Sequence, residues 1–314
     1  MTSCSGAGDT GPSCEQWPEQ PRSAHDDCAN LPLEPGGPPG DPRSEVIMTT
    51  TQTRQGSAAM QGELWGARAL DYADLQEPQG HPLFEDGIRR TGIGSGSAVL
   101  DVGCGAGGFC SLAAEADATV AGIDAAAALI EIARERVPTG RFDVGDLQLL
   151  PYDGDSFDVV TGFNSFQYAA DPVAALAEAR RVAKPGGTVL AVVWGREENT
   201  ELVAVLRALR SLLPPAPPEA AGPFALSSPG ALEALVERAG LTPTDNGYIE
   251  TTFAYPDEAT LLRANRSAGP IVLAERTSGE AAVVEAIRGA FSPFRTSSGA
   301  YRIETEWRYV TATA

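Results

Sequence analysis

The strongest chemical signal in the chain is a glycine-rich turn that follows a short apolar run. Residues 99–108 read Val-Leu-Asp-Val-Gly-Cys-Gly-Ala-Gly-Gly. Glycine is expected there because a Cβ would block both the tight turn and the close approach of a ligand to the backbone. The helix predicted behind the turn, from Gly108 to about Glu115, would present unpaired N–H groups and the positive end of its dipole to an anion. The pattern predicts a ligand site where a strand meets a helix.

Three carboxylates accompany this turn. Asp101 lies in the strand before it, Asp124 ends the next predicted strand, and Asp146 follows the third. A carboxylate has two acceptor oxygens, so these acids could accept hydrogen bonds from a ligand. The alternative for Asp124 is an N-cap of the next helix, and the alternative for Asp146 is an ordinary loop acid.

The same turn also satisfies the G-x-G-x-x-G pattern of dinucleotide sites, through Gly103, Gly105 and Gly108. Two acids oppose a nicotinamide cofactor, because Asp101 would place a negative charge near a pyrophosphate and Asp146 adds another. The chain also ends in a predicted strand pair instead of a second mononucleotide half. A cationic ligand fits these charges better, and an NAD-dependent oxidoreductase remains the alternative.

The elements around the turn alternate between short β-branched runs and Ala-rich helical stretches, which predicts a parallel sheet with right-handed crossovers. The five predicted strands of this part are 98–102, 119–123, 141–144, 157–161 and 188–194. Later segments predict helices over 198–213, 228–239, 257–266 and 280–291, and strands over 247–255 and 301–311. An amphipathic helix is predicted over 58–75, with Met60, Leu64, Ala67 and Leu70 on one face and an end at Pro78.

Composition limits the classes of partner. The 314 residues carry 23 Lys plus Arg against 42 Asp plus Glu, and this net charge of −19 disfavours nucleic acid. Neither a secretory leader nor a membrane-spanning run is indicated, so no membrane insertion and a cytoplasmic location are expected. The five cysteines include no C-x-x-C pair, so neither a disulfide framework nor a metal site is predicted. No oligomeric state is indicated.

The acidic residues are distributed unevenly along the chain. Residues 1–47 hold eight acids against two arginines and are rich in Pro and Gly. This composition predicts a disordered tail before a domain that begins near Met48 and extends to residue 314.

Four sequence motifs resemble those of a known protein family. Leu100-Asp101-Val102-Gly103-Cys104-Gly105-Ala106-Gly107 resembles the first motif of class I S-adenosylmethionine-dependent methyltransferases. Leu150-Pro151-Tyr152, Phe157-Asp158-Val159-Val160 and Lys184-Pro185-Gly186-Gly187 resemble their ubiquinone/menaquinone-methyltransferase-like small-molecule branch. The similarity covers roughly residues 60–240. It implies a Rossmann-like α/β fold, a seven-stranded, mostly parallel sheet whose last strand is antiparallel. A helical lid (48–96), a cofactor-binding core (97–195) and substrate-side helices with the last strands (196–314) would make up the domain.

The resemblance also implies roles for single residues. Gly103, Gly105 and Gly107 would pass beside the methionine part of S-adenosylmethionine, and Asp124 would accept hydrogen bonds from both ribose hydroxyls. Asp146 would receive the adenine amino group, Leu147 would cover the ring and Ala125 would leave room for it. The remaining residues expected at the cofactor are Tyr72 in the lid, Asp101 and Asn164.

Catalytic residues are less defined. The stretch 164–168 leaves the fourth strand at the rim where open α/β sheets bind ligands, so Tyr168 is a candidate, with half-buried packing as its alternative. His81 is the only histidine of the predicted domain and the candidate base, with a solvated loop as its alternative. For Trp65, core packing is favoured. We expect methyl transfer to a small molecule, with a non-catalytic binding protein or a protein methyltransferase as further alternatives.

Overall fold

The computed structural model describes residues 57–215 and 222–314. The predicted tail over residues 1–47 lies outside the described residues, as do the first residues of the predicted lid. Among the described residues, no helix is long and apolar enough to cross a membrane.

A single seven-stranded sheet forms the centre of the described domain, with the strand order β3-β2-β1-β4-β5-β7-β6. Its strands are β1 (Ala98–Val102), β2 (Thr119–Asp124), β3 (Arg141–Val144), β4 (Phe157–Phe163), β5 (Ala183–Trp194), β6 (Thr242–Tyr255) and β7 (Tyr301–Thr313). Strands β1 to β5 pair in parallel, whereas β7 is antiparallel to both β5 and β6. The predicted fold class is therefore confirmed, including the direction of the last strand.

Helices cover both faces of this sheet. The helices before and within the parallel part are α1 (Ala58–Gly66), α2 (Ala69–Asp71), α3 (His81–Thr91), α4 (Gly108–Glu115), α5 (Ala127–Arg136) and α6 (Pro172–Val182). The later helices are α7 (Val203–Leu209), α8 (Ala231–Arg238), α9 (Glu258–Arg266), α10 (Gly269–Ser278) and α11 (Glu280–Phe291). Because β1 is buried on both sides, its apolar residues pack against helices of both layers and fix the turn at its carboxyl end.

The helix predicted over 58–75 is broken into several short pieces. After α1 the chain leaves helical geometry at Arg68, whose guanidinium donates to the Arg266 carbonyl at 2.7 Å. A five-residue π-helix (Tyr72–Gln76) and a 3₁₀ turn (Glu77–Gly80) then lead into α3, so Pro78 does not end the helical segment. Met60 and Leu70, predicted to share one face with the buried Leu64, are exposed.

The C-terminal half also corrects several predicted bounds. Helix α10 was not predicted, and α7 is much shorter than the predicted 198–213 helix. Strand β6 begins at Thr242 instead of residue 247, because its long antiparallel pairing with β7 extends to Thr313. By contrast, the predicted bounds of β1, β3 and α4 agree with the structure.

Candidate functional site

A pocket opens at the carboxyl ends of β1, β2, β3 and β4, beneath α1 and the π-helix. Its location is where open α/β sheets bind ligands. Nine of the predicted site residues line it: Tyr72, Gly103, Gly105, Asp124, Ala125, Asp146, Leu147, Asn164 and Tyr168. The other lining residues are Ser57, Ala58, Gln61, Trp65, Leu129, Gly145, Phe163 and Ser165.

The glycine turn between β1 and α4 is held by its own backbone. Gly103 and Cys104 donate to the Ile123 carbonyl at 2.8 and 3.0 Å, and Gly107 donates to the Cys104 carbonyl at 2.9 Å. Gly103 has φ +80°, and a Cβ on it would lie 2.4 Å from the Ser165 Cβ. A side chain at this position is therefore excluded by the backbone conformation and by the neighbouring strand end.

Two N–H groups of the glycine turn just before α4 are bound by side chains. The Ala106 N–H donates to Glu77 Oε1 at 2.8 Å, and the Gly105 N–H donates to Asp124 Oδ2 at 3.0 Å. Protein carboxylates therefore occupy these two donors of the turn. Glu77 lies far from the turn in sequence, and no local pattern marks it as part of the site.

Asp124 lines the pocket, and the N-cap of α5 is Ala126, so Asp124 is not the helix cap considered as its alternative. Its Oδ1 accepts from the Ala126 N–H at 2.8 Å, just before α5, while its Oδ2 holds the glycine turn. Each oxygen keeps a lone pair for a further donor in the pocket. Burial raises the pKa of this carboxyl, although the hydrogen bonds from Ala126 and Gly105 oppose the shift.

Three aromatic rings form a cluster on the lid side of the pocket. The Trp65 indole packs edge-to-face against Tyr72 and Tyr168, with ring centroids 5.7 Å apart in both pairs. Trp65 thus lines the pocket, although core packing was favoured for it. Burial raises the pKa of Tyr168 to about 12, so its hydroxyl keeps its proton. Ring faces of this kind attract a cation by their quadrupoles.

Close contacts bring the described part of the predicted lid, residues 57–96, onto this site; this part is called the lid below. A Cβ on Gly62 of α1 would lie 2.2 Å from the Ala125 carbonyl oxygen, so only glycine lets the helix approach so closely. The Ser57 hydroxyl donates to the Tyr168 carbonyl at 2.6 Å. The lid therefore touches both the loop after β2 and the segment after β4.

The strand ends supply the remaining walls. Asp146 and Leu147 follow β3, and Asp146 Oδ1 accepts from the Gln148 N–H at 2.9 Å. Asn164 follows β4 with φ +54°, in the left-handed region that non-glycine residues rarely adopt. A strained backbone at a pocket is often a sign of a functional constraint.

Three predicted site residues are not among those lining the pocket. Asp101 is buried in β1, where the Thr161 hydroxyl donates to it at 2.7 Å, and burial raises its pKa to about 7. Gly107 faces α5, because a Cβ on it would lie 3.0 Å from the Ala133 Cβ. His81 starts α3 with 53% of its side chain exposed, 3.6 Å from Glu85. The structure does not bring His81 to the pocket.

Comparisons with known proteins fit this geometry. A family model described as a methyltransferase domain matches residues 100–191. The malonyl-[acyl-carrier protein] O-methyltransferase of Erwinia pyrifoliae is 30% identical over 224 residues, which cover 71% of this chain and 79% of that protein. The chain belongs to the class I S-adenosylmethionine-dependent methyltransferases. S-adenosylmethionine is the cofactor of this family, which confirms the predicted cofactor.

Other relatives of this methyltransferase chain match over shorter spans. An uncharacterized protein of Mycobacterium tuberculosis is 33% identical over 153 residues, 48% of this chain. The chain spans about half the length of that relative, because the alignment covers 55% of it. A candidate methyltransferase has been solved in complex with the Haloferax volcanii activator Trm112. It has the same fold as this chain, at 22% sequence identity. Its TM-score is 0.54, over 82% of this chain and 97% of that one.

The side chains that line the pocket fit the family's cofactor. Asp124 offers acceptors to hydroxyl groups, and the three rings offer faces to a sulfonium cation. The dinucleotide alternative is not supported, because the Glu77 carboxylate already holds the Ala106 N–H group of the glycine turn that a pyrophosphate would approach.

Proposed function

We propose that the chain transfers the methyl group of S-adenosylmethionine to a small-molecule acceptor that is uncharged or cationic. The observation that carries the proposal is one pocket in which the Asp124 carboxylate and the Trp65, Tyr72 and Tyr168 rings face the same space. Family membership supports the reaction type. The chemistry of the lining supports the acceptor class.

The cofactor would lie along the strand ends. Asp124 would hold the ribose hydroxyls, and Asp146 would accept from the adenine amino group, between Ala125 and Leu147. Gly103 and Gly105 would pass beside the methionine part. These assignments rest on the pocket lining and on the matching first motif.

The cofactor supplies an already activated methyl group, so this chain must align the acceptor and exclude water. Tyr168 and Asn164 stand at the end of β4, where they would border the acceptor. Because the pKa of Tyr168 is raised, its hydroxyl would orient an acceptor as a neutral hydrogen-bonding group instead of acting as a base.

The acceptor class follows from charge. The described residues that line the pocket include Asp124 and Asp146 but no Lys, Arg or His. An anionic acceptor would lose its hydration there without gaining a cationic side chain as a partner. The name of the Erwinia pyrifoliae relative indicates a malonyl acceptor, which carries a carboxylate. We therefore infer that this chain differs from that relative in its acceptor.

The cofactor part is tested by calorimetry with S-adenosylmethionine, S-adenosylhomocysteine and NAD. We expect saturable heat with the first two in the micromolar range. Saturation by NAD alone would refute the proposal. Binding without turnover on a broad acceptor panel would favour the non-catalytic alternative instead.

The acceptor part is tested with methyl-labelled cofactor and paired acceptors of similar size: amines, phenols, and the corresponding carboxylic acids. We expect label on the amines or phenols. Label on the acids alone would contradict the charge argument while leaving methyl transfer intact. Label on macromolecules in a cell extract would favour the protein-methyltransferase alternative.

Several broader assignments belong to this proposal. We retain the quinone-methyltransferase-like branch and the division of the domain at residues 96 and 195. The cytoplasmic location is supported by Cys104 and Cys110, which are buried free thiols.

A further inference from the structure

Glu77 is a buried acid that the reaction itself does not require. It lies in the 3₁₀ turn of the lid, 6% exposed, and is not among the residues that line the pocket. Buried carboxylates are costly unless they are paired and hydrogen-bonded. A specific role must therefore be sought in what Glu77 contacts.

Its first contact is with the glycine turn. Glu77 Oε1 accepts from the Ala106 N–H at 2.8 Å. A Cβ on Gly105 would lie 2.9 Å from that oxygen, and a Cβ on Gly108 would lie 3.0 Å from the Glu77 Cδ. The carboxylate is therefore packed directly on the bare backbone of the turn that begins α4.

Its second contact is with Arg136 at the end of α5. The Arg136 guanidinium pairs with Glu77 Oε2, and also donates to the Ala106 carbonyl at 3.2 Å and the Ala73 carbonyl at 2.7 Å. Ala73 belongs to the π-helix of the lid, beside the pocket residue Tyr72. The Glu77–Arg136 pair thus ties the lid, α5 and the glycine turn together.

This arrangement gives α4 a negative charge of its own at its positive end. We propose that Glu77 is a positioning residue, which supplies the anion at the start of α4 and thereby keeps the lid closed over a correctly shaped cofactor turn. The inference rests on the proposed function, since its effect is measured on cofactor binding. Because Glu77 already accepts from the Ala106 N–H, this group does not bind the carboxylate of a ligand.

The test compares Glu77→Gln with Glu63→Gln in the full chain. Glu63 is also a lid glutamate that pairs with an arginine, Arg276, at 2.8 Å, but it is 69% exposed and does not touch the turn. Calorimetry gives the dissociation constant of S-adenosylhomocysteine, stopped-flow fluorescence its dissociation rate, and scanning calorimetry the unfolding temperature. Turnover on any acceptor found as above gives KM for S-adenosylmethionine and kcat.

For Glu77→Gln we expect a dissociation constant raised about tenfold or more, mainly through faster dissociation. KM for the cofactor should rise with it, while kcat at saturation stays within about twofold, because the reacting atoms are not touched. Glu63→Gln should leave all these values within about twofold of wild type. A merely structural role would lower the unfolding temperature without this split.

If Glu77→Gln does not fold, Arg136→Gln carries the test, because it removes the opposite charge from a side chain that is 30% exposed. It should shift the dissociation constant several-fold in the same direction. Affinities within about twofold of wild type in the folded variant would overturn the inference alone. A wild-type chain that binds no S-adenosylhomocysteine would overturn the proposed function and this inference with it.

Discussion

Replacing Asp124 by Ala should have two separable effects. In the free protein, the N–H groups of Gly105 and Ala126 lose their acceptor. Hydrogen bonds to a charged group contribute about 1.5–3 kcal/mol each, but the variant also regains the cost of burying the carboxylate. Since burial raises the pKa of Asp124, this cost is substantial, and we expect a net loss of about 2 kcal/mol in stability.

The second effect is on affinity. If Asp124 holds the ribose hydroxyls, Asp124→Ala should weaken S-adenosylhomocysteine by about 1.5–3 kcal/mol, which corresponds to roughly ten- to 150-fold. Asp124→Asn keeps one acceptor oxygen and should give an intermediate loss. Calorimetry measures the affinity, and urea unfolding measures the stability.

Asp171 provides the matched control. Its Oδ1 also accepts from two backbone N–H groups, those of Val173 and Ala174, at the start of α6, and Asp171 does not line the pocket. Asp171→Ala should therefore lower stability with an unchanged dissociation constant. An unchanged affinity in folded Asp124→Ala, or an equal loss of affinity in both variants, would refute the assignment of Asp124 to the ribose.

Three further predictions follow from the same site. Trp65→Leu should weaken S-adenosylmethionine more than S-adenosylhomocysteine, by about 0.5–2 kcal/mol, because only the former carries the sulfonium charge; equal losses by calorimetry would contradict a cation–π role. Burial raises the pKa of Asp101 to about 7, so the folded chain holds a proton on Asp101 which the unfolded chain releases near pH 4. Its contribution to stability is thus greatest below that pH and is lost as pH rises to 7, so urea unfolding between pH 5 and 8 should show a fall that Asp101→Asn reduces by roughly 2–3 kcal/mol. His81→Ala should leave kcat within about twofold of wild type in the methyl-transfer assay, since the ring is half exposed away from the pocket; a tenfold loss would return His81 to the reaction.

The parallel half of the sheet could be predicted because its signals are local. In β1 and α4, an apolar run, a glycine turn and an Ala-rich stretch adjoin in sequence, and each bound followed from neighbouring residues. The lid lacked such signals. The break at Arg68 depends on contacts with Arg266 and Glu275, about 200 residues away, so helical periodicity alone predicted one continuous helix.

The site residues that could be predicted from the sequence are likewise those with local signals. Asp124 ends β2 and Asp146 follows β3, where the topology of a parallel sheet brings side chains together, and both line the pocket. Glu77 and Trp65 come from the lid, whose approach to the turn is set by tertiary packing. Their places became visible only with the contacts to Ala106, Tyr72 and Tyr168.

The glycine at position 62 has a consequence for the chemistry of the pocket. Its lack of a side chain lets α1 approach the Ala125 carbonyl closely. A methyl group at this position would push α1 away from the loop after β2 and let more solvent reach the pocket, where water competes with the acceptor for a reactive sulfonium. The absence of a side chain at position 62 therefore helps to exclude water from the methyl transfer.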